Sequence, residues 1–248
     1  MTAAAKARPT GVVLLDDAIG PALAPGGTIL ALGEPASGME LFAKEFAARA
    51  PSTLYYAPDE SAEEVEAVVR RFNPDAKPRV VDIASDYYER VLRQRVTPEG
   101  IRVRGLRAAK AEPVRHARDP EVPDFLEEIL REIATQKPPR VVVDTLDFFF
   151  ELYPAADVVR SVRALRLTTR RVGALLYLGK IRNTAEAATE RLLEHIADVV
   201  LHFEVDRTRA GNEWTLSVTK VRNEPHMAAT IAYRPTSEGL IRDPRKRV

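Results

Sequence analysis

The sequence predicts an α/β fold, a mainly parallel sheet with helices on both faces, extended by antiparallel strands near the C-terminus. Three observations predict it. Short apolar runs alternate with amphipathic segments along most of the 248 residues, the pattern of strand-helix-strand units. A glycine-bounded loop joins the first apolar run to the first amphipathic segment. From Trp214 onward polar and apolar residues alternate with no helix between the runs, as antiparallel strands do.

Thr28 to Leu32 follows Gly26-Gly27 and precedes GEPASG, a strand leading into a loop. From Met39 to Arg49 the apolar positions Leu41, Phe42, Phe46 and Ala47 approximate a helical period. Thr53 to Ala57 is the second strand. Ser61 with Glu64 forms a capping-box pattern that opens a helix through Phe72. Arg79 to Ile83 is a third strand. Residues 120 to 137 supply a helix that Pro138-Pro139 ends, and Arg140 to Asp144 is the next strand. Ala155 to Arg171 reads as helix, Gly173 to Leu178 as strand, Ala185 to Ile196 as helix and Asp198 to Val205 as strand. Trp214 to Val221, Ala228 to Arg234 and Gly239 to Arg242 are the antiparallel set.

Residues 1–248 are expected to form a single domain carrying a basic insertion at about 90–118. That insertion holds nine Arg or Lys against Glu99 and Glu112, a local charge of +7. Val91 to Leu106 contains a hairpin pattern turning at Pro98-Glu99-Gly100. No aromatic residue lies between Tyr88 and Phe125, so base stacking has no support there and a protein-contact arm is the better reading.

The whole chain carries a net charge of only +1, which argues against a global field for nucleic acid or membrane. Zero cysteines exclude disulfides, thiolate catalysis and iron-sulfur clusters. His195 and His202 stand seven apart, outside the i, i+4 spacing of a zinc helix. No apolar run approaches the roughly 18 residues of a membrane span, and the N-terminus lacks a secretory core. A cytoplasmic protein without membrane contact is expected.

Gly33-Glu34-Pro35-Ala36-Ser37-Gly38-Met39-Glu40 has the glycine spacing of a phosphate-binding loop, GxxxxGK[ST], after a strand and before a helix. In such a loop backbone amides surround the anion, a lysine meets the terminal phosphates and a hydroxyl holds magnesium. Here Met39 replaces the lysine and Glu40 the hydroxyl residue. An ordinary strand-to-helix turn has the same two glycines. Asp59 and Glu60 equally suit the start of a helix, where acids meet the positive dipole end. Asp144 ends a strand where open sheets bind ligands, and Asp144-Thr145 also suits a turn or cap. His226 reads as a partly buried hydrogen-bonding residue or as a ligand contact.

From Pro9 to Arg242 the chain resembles KaiC-like proteins of the RecA superfamily. The resemblance rests on PTGVVLLDDAIGPALAPGGTILALGEPASG, then TLYYAPDES, RVVVDTL, and the closing segment ADVVLHFEVDRTRAGNEWTLSVTKVRNEPHMAATIAYRPTSEGLI. It implies a RecA-like P-loop NTPase fold. It places Asp59 and Glu60 at the paired catalytic carboxylates and Asp144 at the magnesium-associated aspartate. Gly33, Ser37, Gly38, Met39 and Glu40 fall in the nucleotide loop. The KxRxxxHM signature falls on Lys220, Arg222, His226 and Met227, which in the family lies at a subunit boundary and reaches a neighbour's nucleotide.

The resemblance therefore implies ATP with magnesium as ligand, and homo-oligomers or related RecA-superfamily subunits as partners. The departures weaken that binding. A unit charge about 4 Å from a phosphate is worth roughly 4 kcal/mol at an effective dielectric near 20. Three functions follow. A regulatory or assembly subunit that hydrolyses ATP poorly fits the replaced loop residues best. An active ATPase would use Asp59 or Glu60 as base, Asp144 and Glu40 on magnesium, and Lys220 and Arg222 from the adjacent subunit. A DNA-associated recombinase paralogue would use the basic insertion.

Overall fold

The structure is a computed structural model that describes residues 9–20, 23–93, 123–208 and 211–244. Its frame is a nine-stranded sheet in the order β3-β2-β4-β5-β1-β6-β7-β8-β9. The strands are β1 (Thr28–Gly33), β2 (Ser52–Ala57), β3 (Lys77–Asp82), β4 (Arg140–Val143), β5 (Leu175–Ile181), β6 (Val199–Thr208), β7 (Gly211–Val221), β8 (Ala229–Thr236) and β9 (Gly239–Arg242). Every pairing from β3 through to β6 is parallel. Those from β6 to β9 are antiparallel. This is the mostly parallel α/β architecture of a RecA-like P-loop NTPase, with the antiparallel set the sequence predicts.

The helices are α1 (Val13–Ile19), α2 (Met39–Ala48), α3 (Ala62–Phe72), α4 (Ile83–Tyr87), α5 (Phe125–Gln136), α6 (Asp147–Leu152), α7 (Ala155–Val172) and α8 (Ala187–Ile196). Side chains alternate across a strand, and two cores result. On one face Ile29, Ala31, Tyr55, Val142 and Tyr177 pack with Phe42 and Phe46 of α2. On the other, Leu30, Leu32, Val141, Val143 and Leu178 meet Ile129 and Ile133 of α5 and Val158, Val162 and Leu165 of α7.

The predicted capping box is present: the Ser61 side chain accepts from the Glu64 amide, and Glu64 accepts from the Ser61 amide at 2.9 Å. Several boundaries differ for local reasons. β3 stops at Asp82, because the Asp82 carboxylate accepts from the Ser85 amide at 2.8 Å and starts α4. Gly173 is not in a strand but caps α7 at φ 76°, the left-handed conformation that glycine tolerates. α1 and α6 appear where the sequence suggested no helix. Val91 and Leu92, ahead of the hairpin pattern RQRVTPEGIRVRG, belong to a π-helical turn over Tyr88–Leu92. The hairpin pattern and the basic insertion beyond Arg93 lie outside the described residues. No described helix is long and apolar enough to cross a membrane.

Candidate functional site

Gly33 ends β1 at the carboxyl edge of the parallel strands, and the loop that follows turns into α2. Two left-handed residues make the turn, Ala36 at φ 67° and Gly38 at φ 83°. Carbonyl oxygens of the loop are held from outside it. Trp214 Nε1 on β7 donates to the Ala36 carbonyl at 3.1 Å, and Tyr233 Oη on β8 donates to the Ser37 carbonyl. Tyr177 Oη donates to the Met39 carbonyl at 3.3 Å. The first amides of α2 have no partner one turn back, the usual condition of a helix start.

Side chains of the loop itself fill the space beside its first glycine. A methyl group on Gly33 would meet Met39 Sδ at 2.8 Å and Ser37 Oγ at 3.0 Å. Met39 is only 4% exposed and belongs to the core facing α2. Ser37 is fully buried, and its hydroxyl has no partner among the described residues. Glu40 is exposed at the start of α2. Where the sequence pattern calls for a cation, the loop presents a buried thioether.

Asp144 follows β4, and Asp59 and Glu60 follow β2, so all three stand at the carboxyl edge with the loop. Tyr55 Oη donates to Asp144 Oδ2 at 2.5 Å, while Asp144 Oδ1 is buried without a partner. Burial pushes the Asp144 carboxyl up to about 6, against the pull of the Lys44 ammonium and the Tyr55 hydrogen bond, with Glu60 and Glu40 adding to the rise. Lys44, one turn into α2, is 3% exposed. Its Nζ lies 2.6 Å from Glu60 Oε1, 3.9 Å from Asp144 Oδ2 and 3.5 Å from the Glu40 carbonyl. Asp59 diverges from Glu60. Partial desolvation, then the carboxylates of Glu151, Asp147 and Glu60, hold its pKa above the usual range.

The structure thus brings the loop, Glu60 and Asp144 together and adds Lys44 and Tyr55, which sequence reasoning missed. The signal for Lys44 was a lone lysine in the apolar run of α2, MELFAKEFAA. These residues do not fit a magnesium nucleotide as an intact loop would. Met39 offers no charge, Asp144 Oδ2 is already engaged by Tyr55, and an ammonium stands among the carboxylates. Among the described residues no group of three or more His, Asp or Glu is arranged to hold a metal ion.

Lys220, Arg222 and His226 lie elsewhere. Lys220 pairs with Val200 near the start of β6, and the Arg222 amide donates to the Asp198 carbonyl at 2.8 Å. Asp198 in turn donates to Thr28 at the beginning of β1, so both basic residues sit at the sheet edge opposite the loop. There they cap α8. Lys220 Nζ donates to the Glu194 and His195 carbonyls at 2.6 and 3.0 Å, and Arg222 donates to those of His195, Ile196 and Ala197. Arg166 and Arg222 both pair with Asp198 Oδ1, at 2.7 and 2.6 Å. Burial opposes ionisation of Asp198, but the Arg166 hydrogen bond, the Thr28 amide and Arg222 hold its pKa below the ordinary value. A cavity of about 270 Å³ opens here, lined by Gly26, Gly27, Arg166, Arg170 and Arg222 among others. His226 is exposed rather than partly buried, with Nδ1 3.6 Å from Glu224 Oε2.

A family model described as "ATPase: KaiC" matches residues 8–246. The DNA repair protein RadA of Synechocystis is 25% identical over 211 residues, which is 78% of this chain and 36% of that protein. The DNA repair protein RadA of Mycobacterium tuberculosis is 24% identical over 214 residues, 82% of this chain and 37% of that protein. The chain thus spans little more than a third of the length of these curated relatives.

Proposed function

The chain belongs to the KaiC family of ATPases, and from that membership we propose that it is a regulatory or assembly subunit that does not hydrolyse ATP efficiently. The observation that carries the reading is the burial of Met39 against Gly33. A lysine at that place contributes attraction to the phosphates that a thioether does not, and nothing else in the loop supplies it. The backbone amides at the start of α2 remain suited to a weak anion contact.

Calorimetric titration with ATP and magnesium, run beside a phosphate-release assay, tests the reading. Weak binding without turnover is expected. Turnover matching that of a relative with an intact GxxxxGK[ST] loop overturns it.

The assembly part of the proposal is a homo-oligomer or a ring with related RecA-superfamily subunits. Lys220 and Arg222 cannot meet their own chain's loop from the opposite sheet edge, so any contact with a nucleotide comes from a neighbour. A second reading, association with DNA, is favoured by the +7 stretch at 90–118 and by the repair role in the relatives' name. It predicts single-stranded DNA binding that weakens steeply with salt; the absence of a mobility shift at low salt refutes it.

A further inference from the structure

Two carboxylates, Asp144 and Glu60, meet around Lys44 at the carboxyl edge of the sheet, with the exposed Glu40 nearby. Asp144 is 8% exposed, and the charges of Glu60 and Glu40 both bear on it. Of the three only Asp144 is buried, so it is there that the repulsion is least screened by water. A P-loop protein ordinarily meets such a concentration of negative charge with a divalent cation. Here the chain places its own cation there. Lys44 Nζ reaches Glu60 at 2.6 Å and Asp144 at 3.9 Å, and it spends a further proton on the Glu40 carbonyl at 3.5 Å.

The lysine is held in place. It is buried in an α2 that also buries Phe42, Ala43, Phe46 and Ala47. The other buried lysine among the described residues, Lys180, is committed elsewhere. It donates to Glu190 at 2.9 Å, to Thr184 at 2.6 Å and to the Ile181 carbonyl at 2.7 Å. Among these two, only Lys44 faces the Asp144 centre.

We propose that the Lys44 ammonium takes the place of a divalent cation, neutralising Asp144 and Glu60 from within the chain, so that the centre is complete without magnesium. A nucleotide or other phosphate that reaches the loop is then bound in its metal-free form. This deepens the proposed loss of hydrolysis and rests on that reading: a site that recruits no magnesium lacks the ion that would carry charge off a transferred phosphoryl group.

The test is thermal unfolding of the full chain at mildly alkaline pH, with and without millimolar magnesium and with no nucleotide present. The wild type should be indifferent to magnesium. Lys44→Met, close in volume but uncharged, should lower Tm by about 10 °C, and magnesium should restore most of the loss. Lys44→Met with Asp144→Asn should recover Tm without magnesium and be insensitive to it. A wild type stabilised by magnesium as much as the variant overturns the proposal, as does a Tm fall that magnesium leaves untouched, or no fall at all. Should Lys44→Met fail to fold, the double variant decides. Folded and magnesium-insensitive, it supports charge neutralisation; unfolded, it overturns it. ATP turnover by the wild type would overturn the previous reading alone, because no nucleotide enters this measurement.

Discussion

Tyr233 on β8 donates its hydroxyl proton to the carbonyl oxygen of Ser37, inside the loop between β1 and α2. Both groups are buried, and the bond ties the antiparallel strands to the loop at the carboxyl edge of the parallel ones. Trp214 makes a parallel tie to Ala36 from β7. The antiparallel set is therefore part of the loop's support.

Tyr233→Phe should cost about 1–3 kcal/mol, the penalty for stranding a buried carbonyl. Chemical denaturation gives the cost. Hydrogen exchange at the first amides of α2 should quicken with it, since the loop loses one of its outside partners. Unchanged exchange there, with stability lost elsewhere, would mean that Tyr233 serves only the core.

Charge is the loop's main deficiency, so adding it should have a visible effect. Met39→Lys with Glu40→Thr removes one repulsive charge and adds one attractive one. Each is worth up to roughly 4 kcal/mol at about 4 Å and an effective dielectric near 20, before the cost of placing an ammonium where Met39 is buried. ATP affinity should rise by at least about tenfold, as read by calorimetry. Affinity equal to that of the wild type would show that loop geometry, and not charge, limits binding.

The parts of this molecule set by local pattern were legible in the sequence, and those set by distant pairing were not. Ser61 and Glu64 announce the start of α3 because a capping box is a four-residue device. β1, β2, β4 and β5 announce themselves because burial on both faces demands near-continuous apolar runs. α6 escaped notice because Asp147–Leu152 is six residues long and carries three consecutive phenylalanines, which mask any period. At the site, Gly33, Gly38 and Met39 were readable from spacing. Tyr233 is separated from Ser37 by 196 positions and Tyr55 from Asp144 by 89, and no local pattern encodes either meeting. Lys44 was visible as an odd residue in an apolar helix, but its partners Glu60 and Asp144 follow β2 and β4.

Lys220 and Arg222 cap α8 in this structure, and capping has a signature distinct from assembly. Arg222→Ala removes donors from the carbonyls of His195, Ile196 and Ala197 and leaves the last turn of α8 frayed. With the side chain 35% exposed, the loss should be modest, about 1 kcal/mol. The fall in Tm should be equal at low and high protein concentration. A fall that grows on dilution, with smaller species in light scattering, would instead place Arg222 at a contact between subunits.

Asp198 gathers Arg166, Arg222 and the Thr28 amide, and this makes it a source of pH-dependent stability. Its carboxyl titrates below the ordinary value in the folded chain, because those partners outweigh the opposing effect of burial. The folded state therefore binds the Asp198 proton less readily than the unfolded state does. The stabilisation is fully present above the unfolded pKa, about 3.9, and is lost as pH falls through the lower folded value. Asp198→Asn should lower Tm at neutral pH, since two guanidinium groups lose their shared anion, and the gap to the wild type should close as both are acidified below about pH 4. Thermal unfolding across that range measures it. A gap that stays constant down to the lowest pH at which the chain folds would mean that Asp198 acts through shape and hydrogen bonding, with its charge contributing nothing.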